Sequence, residues 1–314
     1  MAYDIIILGS GPAGLTAALY GARARKKVLI LGGDTFAGQM AGIHSLENYP
    51  GFRGTGMELA EIMKKQATDA GAEIIFQTVK SIKDNEGAER RFAVSSAEGA
   101  EYLGKSVIIA TGASPKKLAI AGAKEFAGRG VSYCATCDGF FYSDKTVVVY
   151  GGGNSALNDA LYLANVCKKV KIIYRKAAFF RAEEILVERV KNTTNIECLF
   201  EREITEVLGD DNVDATAAGV TGIILSDGSK LATDALFVAI GHEANTDFLP
   251  EKYKRDNLGK IMPADESGTE IAPGLFVAGD VRSKNKMQIC VATGWGCEAA
   301  MDSIVYLNKM GKPL

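Results

Sequence analysis

The chain carries one Cys-x-x-Cys pair, Cys134-Ala135-Thr136-Cys137, followed at once by Asp138-Gly139. Thiols at that spacing close a very small ring, so their disulfide forms and breaks readily. Neighbouring dipoles or cations can draw one such thiol well below its free pKa of about 8.5. The competing chemistry is half of a zinc site, which needs a second pair of ligands. The other cysteines, Cys167, Cys198, Cys290 and Cys297, show no such spacing, and the only histidines are His44 and His242. Thiol–disulfide exchange without a metal is the expected chemistry, and the four remaining cysteines are expected to be small buried hydrophobes.

Thirteen residues (138–150) separate Cys137 from a glycine-rich loop, Gly151-Gly152-Gly153-Asn154-Ser155-Ala156. Thr146 to Tyr150 reads as a β-branched strand before it, Leu157 to Val166 as a helix after it, and Lys169 to Tyr174 as the next strand. The chain opens on the same plan. Asp4 to Leu8 is an apolar run, Gly9-Ser10-Gly11-Pro12-Ala13-Gly14 is the loop, Leu15 to Ala24 has helical spacing, and Lys27 to Leu31 is a second strand. Each unit is the β-α-β of a dinucleotide-binding fold. The first glycine (Gly9, Gly151) permits the turn and the next (Gly11, Gly153) lets backbone approach a pyrophosphate. The third small residue (Gly14, Ala156) lets helix and strand pack closely. The helix N-terminus adds backbone donors for the phosphates.

The two copies differ at the end of their second strand, where an adenosine ribose is read. The first continues Leu31-Gly32-Gly33-Asp34, with no acidic residue squarely at the strand end. The second continues Tyr174-Arg175-Lys176, with Arg181 beyond. A guanidinium there can fork onto a 2′-phosphate, so the second site is expected to take NADPH.

The elements that must hold these loops fit an α/β chain of two Rossmann-like domains. A length of 314 residues suits two domains of about 150 each. Val107 to Ala113 and Phe237 to His242 are buried-type strands ending in glycine, and they bracket the cysteine pair and the second loop. One domain is thus expected to be inserted in the other: residues 114–243 between a first part, 1–113, and a second part, 244–314. Gly274 to Asp280 is another apolar strand, and a last helix is expected from Gly294 to Asn308. Asp84 to Gly99 and Gly209 to Val220 read as polar surface hairpins.

A net charge of −2 offers no general attraction to nucleic acid or an anionic membrane. No apolar stretch is long enough to span a bilayer. Met1-Ala2-Tyr3-Asp4 leads straight into a strand, leaving no room for a signal peptide. Six cysteines with one close pair fit a reducing cytoplasm better than a secreted disulfide framework.

Several landmarks lie along the whole chain. They are Gly9 to Gly14, Gly38-Gln39, Glu47-Asn48-Tyr49-Pro50-Gly51 and Ala110-Thr111-Gly112-Ala113, then Cys134 to Phe141, Gly151 to Ala156, Ala239-Ile240-Gly241-His242 and Gly279-Asp280. Together they resemble the low-molecular-weight thioredoxin reductases. The resemblance implies FAD in the domain of the first loop, NADPH in the inserted domain, thioredoxin as protein substrate, and a homodimer. It places Gly9, Gly11, Pro12, Ala13, Gly14, Gly38, Gln39, Asn48, Val79, Thr111, Gly112, Asp280, Gln288 and Ile289 around the flavin nucleotide. It places Gly151, Gly153, Asn154, Ser155, Ala156, Arg175, Lys176 and Arg181 around NADPH. Cys137 becomes the flavin-facing thiol, Cys134 the thiol that attacks the partner, and Asp138 the proton carrier, the only titratable side chain in that local segment.

Two departures from that family's pattern stand out. Its phosphate-reading run His-Arg-Arg-Asp-x-Phe-Arg-Ala is here Tyr174-Arg175-Lys176-Ala177-Ala178-Phe179-Phe180-Arg181-Ala182, one residue longer. Its Arg-Gln-Ala against the flavin is here Met287-Gln288-Ile289, with Lys284 and Lys286 as the nearby cations. The departures keep other readings open: NADH or a reduced ferredoxin as electron donor, a dithiol oxidase, or a redox-sensing flavoprotein.

Overall fold

Ile5, Ile6, Ile7 and Leu8 have no solvent exposure, which is why the first strand, Ala2–Leu8, is an unbroken apolar run. A parallel strand covered on both faces sends alternate side chains into two cores. Ile5 and Ile7 join one cluster with Leu15, Met63 and Phe276, while Ile6 and Leu8 join the other with Phe92 and Val107. Each such buried side chain contributes about 1.5–3 kcal/mol.

The computed structural model describes residues 2–43, 46–88, 91–210 and 219–310. The chain divides into two compact units, Met1–Ser114 with Glu243–Leu314, and Pro115–His242. In the first unit, Glu73–Ile75, Val28–Leu31, Ala2–Leu8, Glu101–Ile109 and Leu275–Val277 form a parallel sheet in that order, and Glu270–Ala272 adds an antiparallel edge. The helices Pro12–Arg23, Gly56–Asp69 and Ile289–Met310 belong to this unit. The last helix starts at Ile289, before the expected Gly294, and both Gly294 and Gly296 lie inside it. A Cβ at Gly296 would come within 2.1 Å of the Ala13 carbonyl oxygen, so that glycine marks a close helix crossing, not a break.

The expected polar hairpin also needs correction. Val79–Asp84 and Phe92–Ser96 pair as an antiparallel hairpin, but Phe92, Ala93 and Val94 are buried. Asp84 is clamped by the Arg91 guanidinium at 2.6 and 2.9 Å. Residues 211–218 of the second expected hairpin lie outside the described residues.

The second unit holds a five-stranded parallel sheet in the order Val131–Ser132, Ala235–Val238, Thr146–Tyr150, Lys169–Tyr174, Ile196–Phe200. Helices Asn154–Ala164 and Glu184–Asn192 pack on one core, and the antiparallel strands Ile204–Gly209, Val220–Leu225 and Lys230–Ala232 accompany the other. The chain crosses between units at Ala113–Pro115 and His242–Ala244, which pair as a two-stranded ladder.

Candidate functional site

The six residues of the first loop divide into two kinds. Gly9 has φ +111°, and a Cβ there would lie 2.3 Å from the Ala110 carbonyl oxygen; a Cβ at Gly14 would lie 2.0 Å from that of Gly9. Both glycines are required by packing. A Cβ at Gly11 would meet no protein atom within 4 Å, and one at Gly38 would meet only Gly11, at 3.9 Å. Gly112, at φ +66°, also faces open space. The helix Pro12–Arg23 has Gly11 at its N-cap and no side-chain cap. By contrast Gly56–Asp69 is closed by a complete capping box between Thr55 and Glu58. Uncapped N–H groups beside an open glycine edge suit a pyrophosphate.

Residues far apart in the chain meet around this edge. The Gln39 amide donates to Asp280 Oδ2 at 3.1 Å, and Asn48 donates to Gln288 at 3.2 Å. Asn285 donates to the other Asp280 oxygen at 2.7 Å. Burial pushes the Asp280 carboxyl above its usual value, and Lys260, Gln39 and Asn285 oppose that rise. Thr111 Oγ1 donates to the Asn245 carbonyl at 2.7 Å, and Asn245 Nδ2 returns a bond to the Thr111 carbonyl at 2.9 Å. Ile289 packs on the core of the first helix and Val79 on the opposite core. Lys284 is ion-paired with Glu266 at the surface.

The second loop repeats the division. A Cβ at Gly151 would lie 2.2 Å from the Ala239 carbonyl oxygen, whereas one at Gly153 would meet no protein atom within 4 Å. The helix Asn154–Ala164 again has no side-chain cap. Asn154 exchanges two 2.8 Å hydrogen bonds with Glu183, donating from Nδ2 to the carboxylate and accepting the Glu183 N–H. One N–H and one lone pair of its amide are therefore engaged within the protein. Ser155 is exposed and Ala156 fully buried. Among the described residues Arg175, Lys176 and Arg181 are exposed and make no ion pair.

Cys134 and Cys137 form a disulfide, with their α-carbons 5.3 Å apart. Cys134 caps the short helix Ala135–Asp138: its sulfur accepts the Cys137 N–H at 3.2 Å and lies 3.3 Å from Thr136 Oγ1. Donors aimed at a sulfur favour its thiolate once the bond is reduced. Cys137 is exposed and Cys134 half-buried. Asp138 accepts the Ser132 hydroxyl at 2.6 Å, and Ser132 Oγ also receives the Cys134 N–H at 3.1 Å. Phe140 and Phe141 follow with 74% and 78% of their surface exposed.

A family model described as pyridine nucleotide-disulphide oxidoreductase matches residues 3–296. The thioredoxin reductase of Rickettsia felis is 40% identical over 308 residues, covering 97% of this chain and 98% of that protein. The crystal structure of Lactococcus lactis thioredoxin reductase in its FR conformation matches with a TM-score of 0.90 at 34% identity, covering 98% and 99% of the two chains. The crystal structure of T. acidophilum thioredoxin reductase gives 0.88 at 34%, covering 99% of each. The chain belongs to the thioredoxin reductases, within the pyridine nucleotide-disulphide oxidoreductases.

As a thioredoxin reductase family member it is an oxidoreductase that works with a flavin and a pyridine nucleotide. The open edges at Gly11, Gly38, Gly112 and Gly153 fit such groups. Ser132, Asn245, Asn285 and Glu183 each hold a site residue in place, yet none carries a motif or spacing that marks it in the sequence. Of the surplus cysteines Cys167 is buried, and burial pushes its thiol up to about 11. The other three depart from the expected burial: Cys198 and Cys297 are half-buried and Cys290 is exposed. No helix among the described residues is long and apolar enough to cross a membrane.

Proposed function

We propose that this chain reduces the disulfide of thioredoxin with electrons from NADPH, held at the second loop, through FAD held at the first. The observation that carries this is the Cys134–Cys137 disulfide with the exposed pair Phe140 and Phe141 beside it. Exposed aromatic surface next to a redox centre suits a protein partner rather than a small molecule. Residues 1–113 and 244–314 hold the flavin, and 114–243 hold the nucleotide and the cysteines. The chain works as a homodimer in a reducing cytoplasm, which fits free Cys167, Cys198, Cys290 and Cys297 beside one exchangeable disulfide.

When bound, the flavin supplies the two-electron relay between nucleotide and disulfide. The chain supplies the rest. Reduction opens the Cys134–Cys137 bond to two thiols, taking up two electrons and two protons. Cys134, whose sulfur has N–H and hydroxyl partners, attacks one sulfur of the substrate disulfide and expels the other as a thiol. Cys137 then attacks Cys134, re-forms the internal disulfide and releases the second substrate thiol. Asp138, held by Ser132, carries the proton to the departing sulfur.

The test is a pair of single variants. Cys137→Ser is expected to trap thioredoxin as a mixed disulfide through Cys134. Cys134→Ser is expected to keep a long-wavelength charge-transfer band from the Cys137 thiolate beside oxidised flavin. Finding the band in Cys137→Ser and the trapped complex in Cys134→Ser would reverse the assignment.

A further inference from the structure

The residues between Tyr174 and Glu183 form an arch with both feet on the second glycine-rich loop. At one foot the Tyr174 ring lies on Gly152, where a Cβ would come within 2.4–2.5 Å of three ring carbons. At the other foot Glu183 is bound to Asn154 by the two 2.8 Å hydrogen bonds already described. Along the arch Tyr174 stacks with Phe179 (centroids 5.7 Å apart, planes at 22°) and faces Phe180 in near-parallel fashion (6.4 Å, 25°). The Arg181 guanidinium lies over the Phe180 ring, 5.3 Å from its centroid.

Phe180 keeps 62% of its surface in water, so its packing alone does not account for an aromatic residue there. Its ring has one clear partner on the outer side, a cation that no carboxylate engages. An exposed arginine samples many rotamers, and a ring under its planar head restricts them. Phe180 in turn is tied through Tyr174 to the loop whose N–H groups suit a pyrophosphate.

The geometry points to Phe180 as the positioning residue that sets the preference for a 2′-phosphorylated nucleotide, by holding Arg181 in place above the loop through the Tyr174 stack. This rests on the reading that the second loop binds NADPH, and it adds the device that would make Arg181 selective. A ring acting this way affects only the nucleotide that carries the 2′-phosphate. A ring that merely supports the fold affects both nucleotides alike.

The experiment measures KM and kcat for NADPH and NADH separately, following thioredoxin reduction by the purified flavoprotein. Phe180→Leu, which keeps apolar bulk at an exposed position but removes the π face, is expected to raise KM for NADPH about two- to fivefold. It should leave kcat and the KM for NADH unchanged, and Phe180→Trp should restore the wild-type value. Equal changes for both nucleotides, or none for either, would overturn the role of Phe180 while leaving the NADPH reading intact. A wild-type protein that uses NADH as readily as NADPH would overturn both, and that result is visible before any variant is made.

Discussion

In the first glycine-rich loop a methyl group at Gly14 would sit 2.0 Å from the Gly9 carbonyl oxygen; in the second the equivalent place is filled by the buried Cβ of Ala156. At the middle of the loops the difference runs the other way. Ser10 donates its hydroxyl to the Gly32 carbonyl at 2.9 Å, while Gly152 makes room for the Tyr174 ring. Yet Gly11 and Gly153 are alike, each facing space that no protein atom fills within 4 Å. The phosphate edge is thus kept constant and the end of the second strand is free to vary. It is bare at Gly32-Gly33 and aromatic and cationic at Tyr174 to Arg181. On the proposed function, cofactor identity would be read at that variable end, and affinity for any dinucleotide at the constant one.

The strongest way to break this comparison is to place a side chain on the constant edge. Gly11→Val and Gly153→Val both have room within the protein, at extended backbone angles any residue adopts (φ −75° and −100°). Both variants are expected to fold. Gly11→Val should purify colourless, while Gly153→Val should purify yellow but fail to be reduced by NADPH. Gly14→Val, which would strike the Gly9 carbonyl, is expected not to fold. A yellow Gly11→Val with full flavin occupancy would contradict the shared plan.

Charge reversal at the variable end comes next. Hydrogen bonds to a charged group contribute about 1.5–3 kcal/mol, so Arg175→Glu should raise KM for NADPH about ten- to a hundredfold. The KM for NADH should move far less. Steady-state kinetics with the two nucleotides decides the matter, and equal shifts would remove Arg175 from the 2′-phosphate site.

What was legible in the chain follows from the range over which each feature is encoded. The two loops, the cysteine pair and the strands beside them are local patterns. Their residue types are dictated by backbone geometry within a few positions, so Gly9 and Gly151 announce themselves. The residues that serve the sites from a distance do not. Asn245 holds Thr111 from 134 positions away and Glu183 holds Asn154 from 29, and one polar residue carries no spacing to recognise. The early start of the last helix was hidden because Gly294 reads as the edge of the helix, whereas it lies inside Ile289–Met310. The buried run Phe92 to Val94 was hidden by its shortness between the polar residues Glu89 to Arg91 before it and Ser95-Ser96 after it.

Ser132 sharpens the comparison at the redox centre in the second unit. Removing its hydroxyl takes one hydrogen bond from Asp138 and one acceptor from the Cys134 N–H. A single such bond contributes about 1 kcal/mol, so Ser132→Ala should slow thioredoxin reduction about fivefold. Reduction of the flavin by NADPH, which depends on the glycine edges, should be unaffected. Rapid-mixing measurement of the two half-reactions separates the cases, and equal slowing of both would make Ser132 merely structural.

The smallest effect on turnover, expected to be none, distinguishes the units by how each treats a half-buried carboxylate. In the first unit Arg91 holds Asp84 below its usual value, chiefly by hydrogen bonding. In the second, burial pushes Asp159 up to about 7, and among the described residues no hydrogen bond or ion pair offsets it. The signs are opposite. A depressed carboxylate contributes stability that is present above its unfolded value near 3.8 and is lost as pH falls through its lower folded value. A raised one contributes stability that is full below 3.8 and lost as pH rises through about 7. Asp84→Asn should therefore lower the denaturant midpoint at neutral pH and converge with the wild type in acid. Asp159→Asn should raise the midpoint above pH 7 and converge with the wild type below about 4. Midpoints measured from acid to mildly alkaline pH check both curves. Parallel curves for the two variants would mean that the units hold these carboxylates alike.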